Sequence, residues 1–422
     1  MKQYAIIGFG CAGYHAAAAI RALDREALIH VYSDHAEAPY NPVLTTYRAA
    51  SKIDRSAMFP FGSLEEISEK LTLTVFKNAE VKAVKAKEKT VVLSDGTERR
   101  YDAILIATGA GAVVPPLPGL SGERICMMRT KEDSDRLFEL VNGGKLKKAL
   151  VVGASWVGVK CAEVLAGAGI DTTLADMVDY FFPTAAYRDV GRELNRRVQE
   201  RGIHLAFGRG LKGVRHTENT SIADFTDGSS VEADLIVLCI GIRANVSMLD
   251  PAEVKIGRGV VVDTRMRTSC EGIYAAGDCS EGNDIQSGEN KIIGLWANAG
   301  YQGRTAGINM AGGRIEYAGS IVHNITHFLD MDFIGLGDCR IGGEVLTFGD
   351  IQGDLYVQAH VEDGRLAGVN ILENSRISGP IKNYFVKLLE GKTRGISDFQ
   401  RGILNAEGLS QSFIDRLEGK LK

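Results

Sequence analysis

One pattern occurs twice in this chain, and it limits the fold more than any other feature. The first copy opens with the apolar run Tyr4-Ala-Ile-Ile-Gly8, then the glycine turn Gly8-Phe-Gly10-Cys11-Ala12-Gly13, then an alanine-rich helix predicted from Gly13 to Leu23. A strand at Leu28–Tyr32 follows, with strand-like runs at Val81–Val84 and Thr90–Leu93 and the turn Asp95-Gly96. The copy closes on Tyr101-Asp-Ala-Ile-Leu-Ile-Ala-Thr108-Gly109. The second copy opens with Ala149-Leu-Val-Val-Gly153 and the turn Gly153-Ala-Ser155-Trp156-Val157-Gly158. Its helix runs to about Ala166, its second strand is Asp171–Ala175, its meander turns at Asp227-Gly228, and it closes on Ala233–Gly241. The opening glycines are 145 positions apart (153 − 8) and the closing ones 132 apart (241 − 109). Two such units predict an α/β chain with two Rossmann-like dinucleotide-binding folds on parallel sheets.

A glycine turn between a strand and a helix suits a pyrophosphate for stated reasons. The first glycine permits the tight turn, the second lets the phosphate approach the backbone, and the third lets helix and strand pack closely. The helix start then presents free N–H groups and a positive dipole end. Gly8, Gly10, Cys11, Ala12 and Gly13 form the first candidate cradle, and Gly153, Ser155, Val157 and Gly158 the second. Ser155 stands where the middle glycine belongs, which is tolerable if its side chain turns from the phosphate. Asp34 suits a ribose hydroxyl acceptor but lies one place beyond the strand end, so Ser33 is its rival. Asp176 ends the second strand of the second copy. A carboxylate there accepts ribose hydroxyls and repels a 2′-phosphate, favouring NADH over NADPH; a solvated strand end is the plain alternative.

Composition excludes several classes. Net charge is −4, and nothing recommends nucleic acid or an anionic membrane as partner. No apolar run reaches the ~18 residues of a membrane span, and the glycines of the opening segment read as strand–turn–helix rather than a signal peptide. Seven scattered cysteines without a CxxC pair signal neither a metal site nor a local dithiol, and fit reduced thiols in the cytoplasm. Three prolines between Gly109 and Gly119 mark a boundary after the first copy. From about Ser320 a small α+β region is expected, with strands at Asp354–His360 and Leu366–Ile371, a helix at Ile381–Leu389 and a helical tail.

The two turns, the closing segments, and Thr268-Ser-Cys-Glu-Gly-Ile-Tyr-Ala-Ala-Gly277-Asp278 together resemble the FAD-dependent pyridine nucleotide–disulfide oxidoreductase family over about residues 1–320. Within it the chain most resembles NADH-dependent rubredoxin and ferredoxin reductases and nitrite-reductase-like flavoproteins. The resemblance implies an FAD-binding domain of 1–112 and 242–320, an inserted NAD-binding domain of 113–241, and a C-terminal α+β interface domain of 321–422. It implies FAD contacts from Gly277 and Asp278 (ribityl chain), Trp296 (flavin ring), Val81 (adenine), Arg129 (flavin nucleotide), and the closing-segment residues Thr108 and Gly109. Gly241 is the corresponding closing residue of the NAD domain. Without the resemblance Trp296, Val81 and Arg129 would read as core, strand and surface residues. Trp156 matches an aromatic that covers the flavin until nicotinamide displaces it; ordinary packing at a helix start is the alternative.

Departures from the family pattern carry information too. Pro39-Tyr-Asn-Pro-Val-Leu-Thr-Thr46 holds no redox cysteine, Cys11 sits in the phosphate turn, and His323 and His327 are misplaced for a C-terminal His-Glu pair. Dithiol chemistry is therefore disfavoured. Carrier reductases place a lysine at the position of Thr46 and a glutamate at that of Lys160. Here Lys160 is either a positive charge near the flavin or a solvated helix lysine. Cys339 reads as a buried structural thiol or a reactive one. The expected activity is hydride transfer from NADH to FAD and onward to a small electron-carrier protein such as rubredoxin or ferredoxin, in a monomer or homodimer. The alternatives are direct reduction of a small molecule, including oxygen, and an FAD electron-transfer subunit of a larger complex.

Overall fold

A computed structural model describes residues Met1–Leu421. The chain divides into two compact units. The first comprises Met1–Ala112, Arg129–Lys131 and Ile242–Ser320; the second comprises Val113–Met128, Glu132–Gly241 and the chain from Ile321 onward.

Each unit is built on a five-stranded parallel sheet. In the first, the strand order is Ile273–Ala275, Ala103–Ile106, Gln3–Ile7, Leu28–Tyr32, Leu73–Phe76. In the second it is Ile125–Met127, Leu235–Leu238, Lys148–Val152, Asp171–Asp176, His204–Phe207. The two orders superpose, except that one outer strand comes late in the chain in the first sheet and early in the second. The strands read as continuous apolar runs because each sheet is covered on both faces; in the second unit one cover is an antiparallel meander, whose Val214, Ala223 and Phe225 pack with Leu150, Val152, Ile236 and Leu238 of the sheet. Ile6, Ile104, Leu105 and Ile106 are fully buried, each worth roughly 1.5–3 kcal/mol of burial. A three-stranded antiparallel meander accompanies each sheet, Val81–Lys85, Thr90–Leu93 and Glu98–Arg100 in one, Leu211–His216, Ser221–Phe225 and Ser230–Ala233 in the other.

The first glycine-turn helix spans Cys11–Leu23, two residues earlier than the sequence suggests. Its alanines give it high propensity and a slim face. That face packs on helix Trp296–Met310, where a Cβ at Gly303 would meet the Ala12 carbonyl at 2.2 Å and one at Gly307 the Ala16 carbonyl at 2.4 Å. Small residues on both helices thus bring two backbones together. The second glycine-turn helix spans Trp156–Gly167.

The C-terminal part of the second unit is a five-stranded antiparallel sheet, ordered His323–Phe328, Met331–Gly337, Arg365–Leu372, Tyr356–Glu362, Glu344–Phe348. Helices Ser378–Leu389, Asp398–Ala406 and Gln411–Lys420 follow. Buried polar contacts knit it to the second nucleotide fold: the Tyr187 amide donates to Asn370 at 2.8 Å, and Asn370 donates to the Ala185 carbonyl at 2.7 Å. Among the described residues no helix is long and apolar enough to cross a membrane.

Arg129–Lys131 lies in the first unit, although the sequence reading places it inside the NAD domain. Ion pairs explain the exchange. Arg129 bonds Asp278 at 2.7 Å, and Lys131, 5% exposed, bonds Glu37 at 3.0 Å.

Candidate functional site

In the first cradle Gly8 has φ 95°, and its amide donates to the Tyr32 carbonyl at 2.8 Å. A Cβ there would lie 2.3 Å from the Ala107 carbonyl oxygen, and one at Gly13 2.3 Å from the Gly8 carbonyl oxygen. Gly10 is the helix N-cap, with no side-chain cap, no acidic residue in the first turn, and open space where a Cβ would stand. The N–H groups of this helix start are thus offered outward, the donor set a diphosphate requires. Cys11 and Ala12 are buried beneath the turn. The Cys11 thiol donates to the Trp296 carbonyl at 3.4 Å, and burial, then the Asp278 charge, push its pKa up to about 12. Such a thiol is structural rather than nucleophilic.

Gly277 packs against this cradle: a Cβ on it would stand 3.2 Å from that of Ala12. The Gly277 amide donates to Gln302 at 2.8 Å, which fixes the turn that carries Asp278. Arg129 approaches from a distant part of the chain. Its Nη2 donates to Asp278, and its Nε donates to the Ala110 carbonyl at 2.8 Å. Thr108 and Gly109 form the neighbouring rim, with the Thr108 hydroxyl on the Asn245 carbonyl at 2.6 Å and the Asn245 amide on the Gly109 carbonyl at 3.0 Å. Trp296 begins its helix, and its ring lies parallel to Phe61 at 5.8 Å and 16°; Phe61 in turn stacks on Tyr14 at 3.9 Å. Val81 is buried in the first meander, and Thr46 is buried in the short helix Thr45–Ala49.

The second cradle repeats the geometry. Gly153 has φ 106°, its amide donates to the Ala175 carbonyl at 2.8 Å, and a Cβ would lie 2.4 Å from the Cys239 carbonyl oxygen. Tyr32 and Ala175 therefore occupy the same slot, and the residue after each, Ser33 or Asp176, is the strand-end residue. Ser33 is buried and caps the His35 amide, whereas Asp34 is exposed and bonds His35 at 2.8 Å. The hydrogen bond from His35 holds Asp34 below the usual carboxylate range. Asp176 accepts from the Ala154 amide at 2.6 Å and the Val178 amide at 3.2 Å. A carboxylate has about four lone-pair sites, so acceptor capacity remains for ribose hydroxyls. The Ser155 hydroxyl caps the Gly158 amide at 3.1 Å and donates to the Cys239 carbonyl at 2.9 Å. Both of its bonds are internal, which explains how serine replaces glycine here. Val157 and Ile240, each 38% exposed, leave apolar surface beside the turn, and Gly241 opens onto free space.

Trp156, the first helical residue, lies face to face with Phe182 at 4.0 Å and 7°, and nearly parallel to Phe333 at 5.6 Å. Phe182 has φ 56°, a left-handed backbone costing roughly 1–2 kcal/mol for a residue with a side chain. Lys160 is buried, not solvated: its ammonium bonds Glu163 one turn on and the His327 carbonyl at 2.9 Å. The sequence reading missed Glu163, Phe182 and Phe333. Glu163 was detectable at i+3 from the lysine, while the two phenylalanines come from distant segments. Every cysteine is free, and Cys161 and Cys239 approach to 3.9 Å. Burial, eased by the bond that Asn370 donates at 3.4 Å, pushes Cys339 up to about 12. Among the described residues no cluster of His, Cys, Asp and Glu could hold a metal ion.

Two glycine-turn cradles, one with an uncapped helix start and one with a carboxylate at the strand end, mark a chain built on two dinucleotide-binding folds. The family described as pyridine nucleotide-disulphide oxidoreductase matches residues 2–303, and the chain belongs to it. It is an FAD-containing, NAD(P)H-dependent oxidoreductase. The chain is 29% identical over 374 residues to the epsilon subunit of NADH-dependent phenylglyoxylate dehydrogenase of Aromatoleum evansii, covering 87% of each. It is 27% identical to the rubredoxin-NAD(+) reductase of Alcanivorax borkumensis, over 67% of this chain and 73% of that one. Among solved structures, the water-forming NADH oxidase of Lactobacillus brevis has a TM-score of 0.86 at 23% identity, over 93% of this chain and 92% of that one, a likeness of fold.

Proposed function

We propose that the chain takes hydride from NADH to FAD and delivers electrons to a small one-electron carrier protein of the rubredoxin or ferredoxin kind. The observation that carries this is the pairing of two phosphate cradles with a complete lack of accessible thiol chemistry at the first. Bound FAD supplies the redox chemistry; the protein's part is positioning and electrostatics. In this reading residues 1–112, 129–131 and 242–320 hold FAD, 113–128 and 132–241 hold NADH, and 321–422 form an interface domain. Gly8, Gly10 and Gly13 cradle the flavin diphosphate. Ser33 or Asp34 takes the adenosine ribose, Val81 the adenine, Asp278 the ribityl hydroxyls and Trp296 the ring. Arg129 holds Asp278 in place and balances phosphate charge. Gly153, Ser155, Val157 and Gly158 hold the nicotinamide dinucleotide, and Asp176 selects NADH over NADPH. Lys160 enters as an ion pair with Glu163, so it shapes the local field without a net positive charge. The protein works in the cytoplasm as a monomer or homodimer.

The similarity to a subunit of a larger dehydrogenase along most of both chains favours a second reading, in which the acceptor is a partner subunit. Anaerobic titration of the purified protein with NADH tests the cofactor assignment. A screen with rubredoxin, ferredoxin, oxygen and dyes then tests the acceptor. Fast turnover only with a carrier supports the first reading. Turnover with oxygen alone, or yellow colour that NADH never bleaches, rejects it.

A further inference from the structure

The start of helix Trp156–Gly167 is gripped by chain from outside the nucleotide fold. The hairpin His323–Phe328/Met331–Gly337 turns at Leu329 and Asp330, with φ 49° and 56°, the left-handed pair of a tight two-residue hairpin turn. Its strands carry Phe328 and Phe333, both fully buried. Phe333 lies parallel to Trp156 and also parallel to Phe182, at 5.4 Å and 4°. Phe328 meets the Phe182 ring edge-on at 6.2 Å. One helical turn beyond Trp156, on the same face, Lys160 donates to the His327 carbonyl of this hairpin. Swinging the indole away would break two parallel ring contacts. The left-handed backbone of Phe182 holds only because its surroundings over-determine it.

We propose that Phe182 and Phe333 are positioning residues that lock the Trp156 indole as a fixed wall beside the second glycine turn, so that the C-terminal hairpin sets how bound NADH rests against that turn. This replaces the movable cover that family resemblance suggests for Trp156. It rests on the NADH reading given above.

The chain has two tryptophans, so Trp296→Phe leaves Trp156 as the sole indole reporter. In that background Phe182→Leu and Phe333→Met remove one ring each, and Phe182→Tyr keeps the ring. NAD+ binding is followed by titration, and Trp156 by emission and acrylamide quenching. The loss of one ring contact corresponds to a rise of about three- to tenfold in the NAD+ dissociation constant and in KM for NADH. In these variants kcat stays within about twofold of the parent, and Trp156 emission shifts to the red. Phe182→Tyr binds as the parent does, and NAD+ leaves Trp156 quenching in the parent unchanged. Unaltered NAD+ binding in both ring-deleted variants overturns the proposal. So does weakened binding without an emission change, or NAD+-induced exposure of Trp156 in the parent. If Phe333→Met does not fold, the Phe182 pair decides alone. A wild-type protein, with Trp296 intact, that binds no NAD+ overturns the cofactor assignment itself, a result distinct from failure of the wall.

Discussion

Replacing Asp176 with Asn tests the electrostatic basis of cofactor choice. The carboxylate accepts two backbone amides, at 2.6 and 3.2 Å, and so is held at the strand end, where NADH bound as proposed would set its adenosine ribose. A 2′-phosphate about 4 Å away would meet a repulsion of about 1 kcal/mol per charge pair in water and ~4 kcal/mol at a surface-like dielectric of 20. That range corresponds to a preference for NADH of between about fivefold and about a thousandfold. Asparagine keeps one acceptor oxygen for the Ala154 amide but turns its own NH2 toward the Val178 amide. The substitution therefore lowers stability by about 1–2 kcal/mol while removing the charge. The assay is kcat/KM for NADH and NADPH on the same preparation, with dissociation constants for NAD+ and NADP+ as a check. The expected result is a shift of the ratio toward NADPH of at least about fivefold. A ratio unchanged within twofold would show that Asp176 does not face the ribose, and the charge argument would fall.

Three further outcomes follow from the geometry. Gly8→Ala combines a φ of 95° with a Cβ 2.3 Å from the Ala107 carbonyl oxygen; the variant should purify with less than a tenth of the parent's bound flavin, read from visible absorbance, or not fold at all. Cys11→Ala should leave the rate of flavin bleaching by NADH within about twofold, and iodoacetamide at pH 8 should not label Cys11 in the folded protein, because its thiol titrates near 12; rapid labelling would contradict the structural role. His323 is pushed down to about 4 by burial and then by nearby Lys382. Because its folded pKa is depressed, its contribution to stability is present above the unfolded value near 6.5 and is lost as pH falls from there toward 4. Urea midpoints measured across that window should fall less steeply in His323→Gln than in the parent, and identical slopes would refute the assignment.

Repetition made the fold readable. Gly8 and Gly153 stand in equivalent turns because the same steric demand recurs, and strands Leu28–Tyr32 and Thr90–Leu93 fall where their apolar runs place them. The slot at Ser33 and Asp34 needed hydrogen-bond register, since only the shared bonds to Tyr32 and Ala175 show which residue ends the strand. Lys160 illustrates the limit of local reading. Helix periodicity says which face it occupies, but its burial depends on a hairpin some 165 residues later, and nothing near it in the chain encodes that. Arg129–Lys131 crosses to the first unit for the same reason, through partners at Glu37 and Asp278. The Trp156 stack draws on Phe182 and Phe333, which no spacing rule could join.

The late outer strand of the first sheet has a consequence for synthesis. Strand Ala103–Ile106 pairs on one side with Ile273–Ala275, which leaves the ribosome only after the whole inserted fold. During translation at roughly 5–20 residues per second, its outer row of amides and carbonyls stays bare for many seconds. A bare parallel edge invites pairing with another nascent chain, so slow decoding between the two segments should lower soluble yield, and a chain stopped near residue 241 should aggregate.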